Sequence, residues 1–232
     1  MNSPLPGDYI DIHTHNSIPV AGIFEVENLM AHENRDPSGI NAAVCTAGIH
    51  PWHLNEDNRR SLLDYIRGIS GFPGLIAFGE AGFDKLRGPS MELQNAVFAE
   101  QVKISGEFNK PLVIHCVRAW NELLEAHRDA RPQTPWLVHG FRGKKDLALQ
   151  LLRHGMYVSF WFDFVVRPES TELLKSLPPE RIFLETDGSG ADIKLIYSKV
   201  AADLGIPVDR LKKQIFNNYR DLFIKSGVIT ML

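Results

Sequence analysis

At 232 residues and 44% hydrophobic content, the chain is long enough for one sizeable core and falls in the length range of a single α/β barrel. Its formal net charge of -3 excludes a globally basic surface, so any polyanion must be gripped by local cations. The polar, proline-rich opening Met1-Asn2-Ser3-Pro4-Leu5-Pro6 is unlike a secretory leader, and no apolar run approaches the ~20 residues of a membrane span. The two cysteines, Cys45 and Cys116, form no disulfide framework and are expected as buried thiols of a soluble cytoplasmic protein.

Short apolar runs alternate with longer amphipathic ones, the pattern of strand-helix units around a parallel sheet. Strands are predicted over 9–13, 22–29, 41–49, 74–79, 111–115, 136–139, 156–160 and 181–186; the second alternates over Ile23-Phe24-Glu25-Val26-Glu27 but is also compatible with the start of a helix. Helices are predicted over 56–69, 90–108, 119–129, 144–154, 169–176 and 192–204, with a closing helix over 209–225. Ser90 suits a cap before Met91-Glu92-Leu93, and Gly155 and Gly205 suit helix stops. Leu147, Leu151 and Leu152 recur at helical spacing while Lys144, Lys145 and Arg153 stay solvated. No repeat or linker divides the chain, so one domain over 1–232 is expected, a TIM-type (β/α)8 barrel with the doubly wound open sheet as the alternative.

In such a barrel the loops after the strands build the active site. The first strand aims His13 and His15 at one side, because strand side chains alternate. Alone, two such imidazoles are equally compatible with a structural role. The fourth strand ends on Glu80, the fifth on His115, the sixth on His139, and the eighth on Glu185-Thr186-Asp187. Four histidines and two carboxylates are too many for one tetrahedral ion and suit two ions sharing a carboxylate. Burying so many polar groups at one mouth is costly unless something pairs them. Cys116 follows His115 and so points to the opposite side; Glu185 is expected to hydrogen-bond a ligand histidine rather than to ligate. Arg118, Arg142, Lys144 and Lys145 follow the fifth and sixth strands, and Lys85 and Arg87 follow the fourth, which fits an anionic substrate. Trp52 could stack on a base or pack as a lid.

The segments Asp11-Ile12-His13-Thr14-His15, Gly48-Ile49-His50-Pro51, Gly79-Glu80-Ala81-Gly82-Phe83-Asp84, Val113-Ile114-His115, Val138-His139-Gly140-Phe141-Arg142-Gly143 and Leu184-Glu185-Thr186-Asp187 resemble, in this order and spacing, the TatD family of metal-dependent hydrolases. The resemblance implies two divalent ions (Mg²⁺, Mn²⁺ or Zn²⁺), one held by His13, His15, Glu80 and Asp187 and the other by Glu80, His115 and His139. It further implies a deoxyribonuclease that trims DNA ends, with Asp187 taking the proton from the attacking water and Glu80 bridging; separately, the chain is expected to be a monomer. His50, Arg118 and Arg142 are the expected contacts to a DNA or other phosphodiester substrate. Three departures touch that rim: Asp187-Gly188-Ser189-Gly190-Ala191 runs quickly into a helix, Cys116-Val117 displace Arg118 from its usual place, and the loop between the second and third strands is short. The alternatives are an amidohydrolase-type enzyme acting on a small amide, ester or lactone, and a metal-binding protein without turnover.

Overall fold

The computed structural model describes residues 3–224, so Met1 and Asn2 of the opening and Lys225 of the predicted closing helix lie outside the described residues. The strands are β1 (Tyr9–Thr14), β2 (Ile23–Met30), β3 (Val44–Gly48), β4 (Leu75–Asp84), β5 (Leu112–Val117), β6 (Trp136–Val138), β7 (Tyr157–Phe160) and β8 (Ile182–Leu184). The helices are α1 (Arg59–Ile69), α2 (Met91–Glu107), α3 (Trp120–Ala130), α4 (Lys145–Arg153), α5 (Phe162–Val165), α6 (Pro168–Ser176), α7 (Ile193–Leu204) and α8 (Val208–Tyr219). Every neighbouring strand pair is parallel and the sheet order is the chain order, β1 to β8. A doubly wound sheet would reverse its strand order partway, so the consecutive order selects the (β/α)8 barrel. Strands covered on both faces read as nearly continuous apolar runs, and all ten residues of β4 are buried.

Some boundaries differ from expectation, each for a local reason. The fourth strand does not stop at Gly79 but continues to Asp84. Gly79 instead marks a bulge: Phe78 pairs with Leu112 and Ala81 with Ile114, so β4 spends one extra residue around Glu80. A side chain at Gly79, whose φ is +112°, would place its Cβ 2.1 Å from the Val113 carbonyl oxygen. A matching irregularity lies in β1, where Asp11 pairs with Glu25 and Thr14 with Glu27, across His13. The first helix begins at Arg59 rather than 56, because Asn55 and Asn58 each accept the other's backbone N–H at 2.9 Å and hold a turn ahead of it.

The barrel's seam is unusual in being made largely by side chains. β8 is only three residues long. The Tyr197 hydroxyl on α7 accepts the Ile10 N–H at 3.1 Å and donates to the Ile10 carbonyl at 3.0 Å, taking the place of a strand neighbour. The Asp11 carboxyl accepts the Thr186 N–H at 3.0 Å and its hydroxyl at 2.6 Å, and the Asp187 N–H reaches the His13 carbonyl at 3.0 Å. Among the described residues no helix is long and apolar enough to cross a membrane.

Candidate metal centre

The side chains expected at the mouth meet around Glu80, which the β4 bulge turns into the buried end of the barrel. Glu80 Oε1 lies 2.6 Å from His139 Nε2, 2.8 Å from His115 Nδ1 and 3.1 Å from His50 Nε2. Its other oxygen lies 3.5 Å from His13 Nε2. Asp187 Oδ1 lies 3.6 Å from His15 Nε2 and 3.8 Å from His13 Nε2. Three trios have donor atoms within 4.8 Å of one another: His13, His15 and Asp187; His13, Glu80 and His139; and His50, Glu80 and His115. The structure thus draws His50, expected only as a substrate contact, to the same carboxylate oxygen as His115 and His139.

These donors fit metal ions. Both ring nitrogens of the fully buried His13 lack a hydrogen-bond partner, a costly arrangement for an imidazole with nothing to bind. Gaps of 3.5–3.8 Å between its Nε2 and two carboxylates are too long for good hydrogen bonds. They leave room for an ion at ~2.0–2.2 Å from each donor.

Burial disfavours ionised Glu80, but His139, His115 and His13 outweigh it and hold its carboxyl well below the usual range. Burial likewise opposes a charged His139, yet Glu80 and Glu185 raise it well above its ordinary value. Asp187 is burdened by burial and still held low by its bond to His15 and by His139 and His13. At His50 burial prevails over Glu80 and lowers the pKa, favouring the neutral ring. The excess of imidazole and carboxylate charge partners is what a cation would organise, since ligation requires neutral imidazoles and ionised carboxylates.

A supporting layer holds these groups. Glu185 Oε1 accepts the Gly140 N–H at 2.7 Å and stands 3.4 Å from His139 Nδ1, while Oε2 accepts the Ser159 hydroxyl at 2.5 Å. Asn28 Oδ1 accepts the Thr46 hydroxyl and the Glu80 N–H, each at 2.9 Å. Asp84 Oδ2 receives the Trp52 indole N–H at 2.6 Å and lies 3.3 Å from His115 Nε2. Asp187 sits at φ +51°, a left-handed conformation that Asp tolerates better than most residues. Burial pushes the Asp11 carboxyl up to about 8 despite its bonds from Thr186.

Sequence reasoning had not assigned a role to Asp84, Asn28 or Asp11. Strand alternation carried the signal for two of them, because Asp84 shares parity with Glu80 and Asp11 with His13. Asn28 gave none, since its partner Glu80 is 52 residues away. Arg118 and Arg142 are exposed, Arg142 with its guanidinium 4.5 Å over the Trp161 ring. His53 stacks on His32 with ring centroids 3.6 Å apart.

A family model described as TatD related DNase matches residues 35–224. The chain is similar to a protein of Pantoea vagans named 3'-5' ssDNA/RNA exonuclease TatD, with 34% identity over 154 residues, 61% of this chain and 56% of the relative. It is also similar to the deoxyribonuclease Tat-D of Schizosaccharomyces pombe, with 28% identity over 147 residues, 61% of this chain and 47% of the relative. The chain spans about half the length of the curated relatives it matches. Among solved structures, a TatD homologue from Escherichia coli K12 superposes with a TM-score of 0.77 at 19% identity, covering 95% of this chain and 99% of that one, a likeness of fold.

Proposed function

Because this chain belongs to the TatD-related DNase family, we propose that it is a metal-dependent phosphodiesterase that shortens single-stranded DNA or a related nucleic acid from an end. The observation that carries the reading is the single carboxylate of Glu80, with His13 on one oxygen and His139, His115 and His50 on the other. His13, His15, Glu80 and Asp187 would hold one divalent ion, and Glu80, His115 and His139 a second, with Mg²⁺, Mn²⁺ or Zn²⁺ as candidates. When bound, such ions lower the pKa of a water and neutralise charge developing on a phosphate.

The chain's own residues supply the rest. Asp187, ionised and at the edge of the cluster, takes the proton of the attacking water on its carboxylate. Buried Glu185 keeps the His139 ring aligned, and Asp84 does the same for His115. Arg118 and Arg142 hold phosphates along the strand from the exposed rim, while His50, its Nδ1 accepting the Trp52 backbone N–H, turns Nε2 to Glu80 Oε1 at 3.1 Å.

The test is hydrolysis of a 5'-labelled single-stranded oligonucleotide by the purified chain with Mn²⁺ or Mg²⁺. Nucleotides are expected to be released stepwise, chelation to stop the reaction, and Asp187→Asn to reduce kcat by about 10²–10⁴-fold with the thermal unfolding profile preserved. Full activity in Asp187→Asn refutes the mechanism, and cleavage of an amide or lactone in place of any phosphodiester refutes the substrate class.

A further inference from the structure

Beyond the metal cluster, the segment after β4 forms a rigid wall ending in a single cation. Asp84 Oδ1 accepts the backbone N–H groups of Leu86 at 2.7 Å and Arg87 at 3.0 Å. Gln94 on α2 accepts the Asp84 N–H at 2.8 Å and donates to the carbonyls of Asp84 and Pro89, each at 2.9 Å. Gly88 is pressed so closely on the turn after β3 that a Cβ there would lie 2.8 Å from the Pro51 carbonyl oxygen. Trp52 in that turn is pinned by its indole N–H on Asp84 Oδ2. On its ring, 4.0 Å from the centroid, rests the guanidinium of Arg87.

Arg87 is exposed, and among the described residues no carboxylate pairs with it. A fixed guanidinium without a counterion at the lip of a mouth presents a planar fork of donors, the geometry that suits a phosphate. Its place relative to the reacting centre follows from Trp52, whose ring centroid lies 4.8 Å from that of His50 and 5.7 Å from that of His115. Arg87 therefore stands one indole beyond the imidazoles that surround Glu80.

We propose that Arg87, seated on Trp52, binds the phosphate adjacent to the scissile one and so makes the site select a nucleic-acid strand over an isolated phosphodiester. The inference rests on the nuclease reading above. Arg87 is a specificity-determining residue in this scheme, and Asp84 ties its position to that of His115 through one carboxylate.

Binding of a cleavage-resistant single-stranded phosphorothioate oligonucleotide to the metal-loaded protein, read by fluorescence anisotropy over a salt series, tests it. Arg87→Ala is expected to raise Kd about ten-fold and to reduce the slope of log K against log salt by about 0.7, the value for one single-strand phosphate contact. Arg87→Lys, which keeps the charge and loses the fork, should keep the slope while weakening binding about three-fold. Arg128→Ala on the exposed outer face of α3 serves as the control and should change neither quantity. In cleavage assays, kcat/KM of Arg87→Ala should fall at least five-fold more on an oligonucleotide than on bis(4-nitrophenyl) phosphate. Equal losses on the two substrates, or an unchanged Kd and salt slope while the wild-type chain cleaves DNA, overturn this inference and leave the nuclease reading standing. A wild-type chain that neither binds nor cleaves DNA or RNA overturns both.

Discussion

Tyr197→Phe probes how the barrel closes between β8 and β1. The substitution keeps the fully buried ring and deletes only the hydroxyl that serves the Ile10 N–H and carbonyl at 3.1 and 3.0 Å. Both backbone groups point to the edge where β8 is too short to supply a ladder. With no replacement partner, each of the two orphaned groups costs about 1–3 kcal/mol, so a total loss of about 2–6 kcal/mol is expected. For a chain of this size each kcal/mol moves Tm by about 2–4 °C, which places the mutant about 4–24 °C below wild type. Urea melts of the metal-free protein measure the free energy, and hydrogen exchange at the Ile10 amide localises the opening. Because His13 and Asp187 meet across the same seam, through an N–H to carbonyl bond of 3.0 Å, affinity for the first ion should fall as well. A loss below about 0.5 kcal/mol with the Ile10 amide still protected would refute the idea that the Tyr197 hydroxyl closes the barrel.

Two further expectations follow from the buried groups. Glu185→Gln weakens the restraint on His139 and should lower metal affinity about 10–100-fold, measured by competition with a chromogenic chelator; an unchanged affinity would mean that His139 is oriented by packing alone. Burial pushes the half-buried Cys116 thiol up from 9.0 to about 12, so at pH 8 its thiolate is scarcer than an ordinary one by roughly 10³-fold. Ellman's reagent should therefore label the native chain slowly and both Cys45 and Cys116 rapidly once it is unfolded, and fast native labelling would show that β5 is open at Cys116.

Local patterning determined much of this protein. Apolar runs bounded by turns marked the eight strands, and the residue placed just past each apolar run named His13, Glu80, His115, His139 and Asp187, because strand ends in a parallel barrel all open to one mouth. The same parity argument reaches Asp11 and Asp84, which share strand parity with His13 and Glu80 of the cluster. What it could not supply was anything set by spacing in three dimensions. Gly79 reads as a strand stop, and only the pairing of Phe78 with Leu112 and Ala81 with Ile114 shows that it is a bulge carrying Glu80 inward. His50 looks like a rim residue until β3 and β4 lie side by side, where Thr46 pairs with Ala77 and the imidazole falls 3.1 Å from Glu80. Tyr197 on Ile10, and Arg87 on a Trp52 held by Asp84, join residues that chain order separates by 187, 35 and 32 positions. A sequence encodes its hydrophobic period residue by residue, whereas a hydrogen bond or a stacked cation exists only once the closed barrel has brought its two halves together.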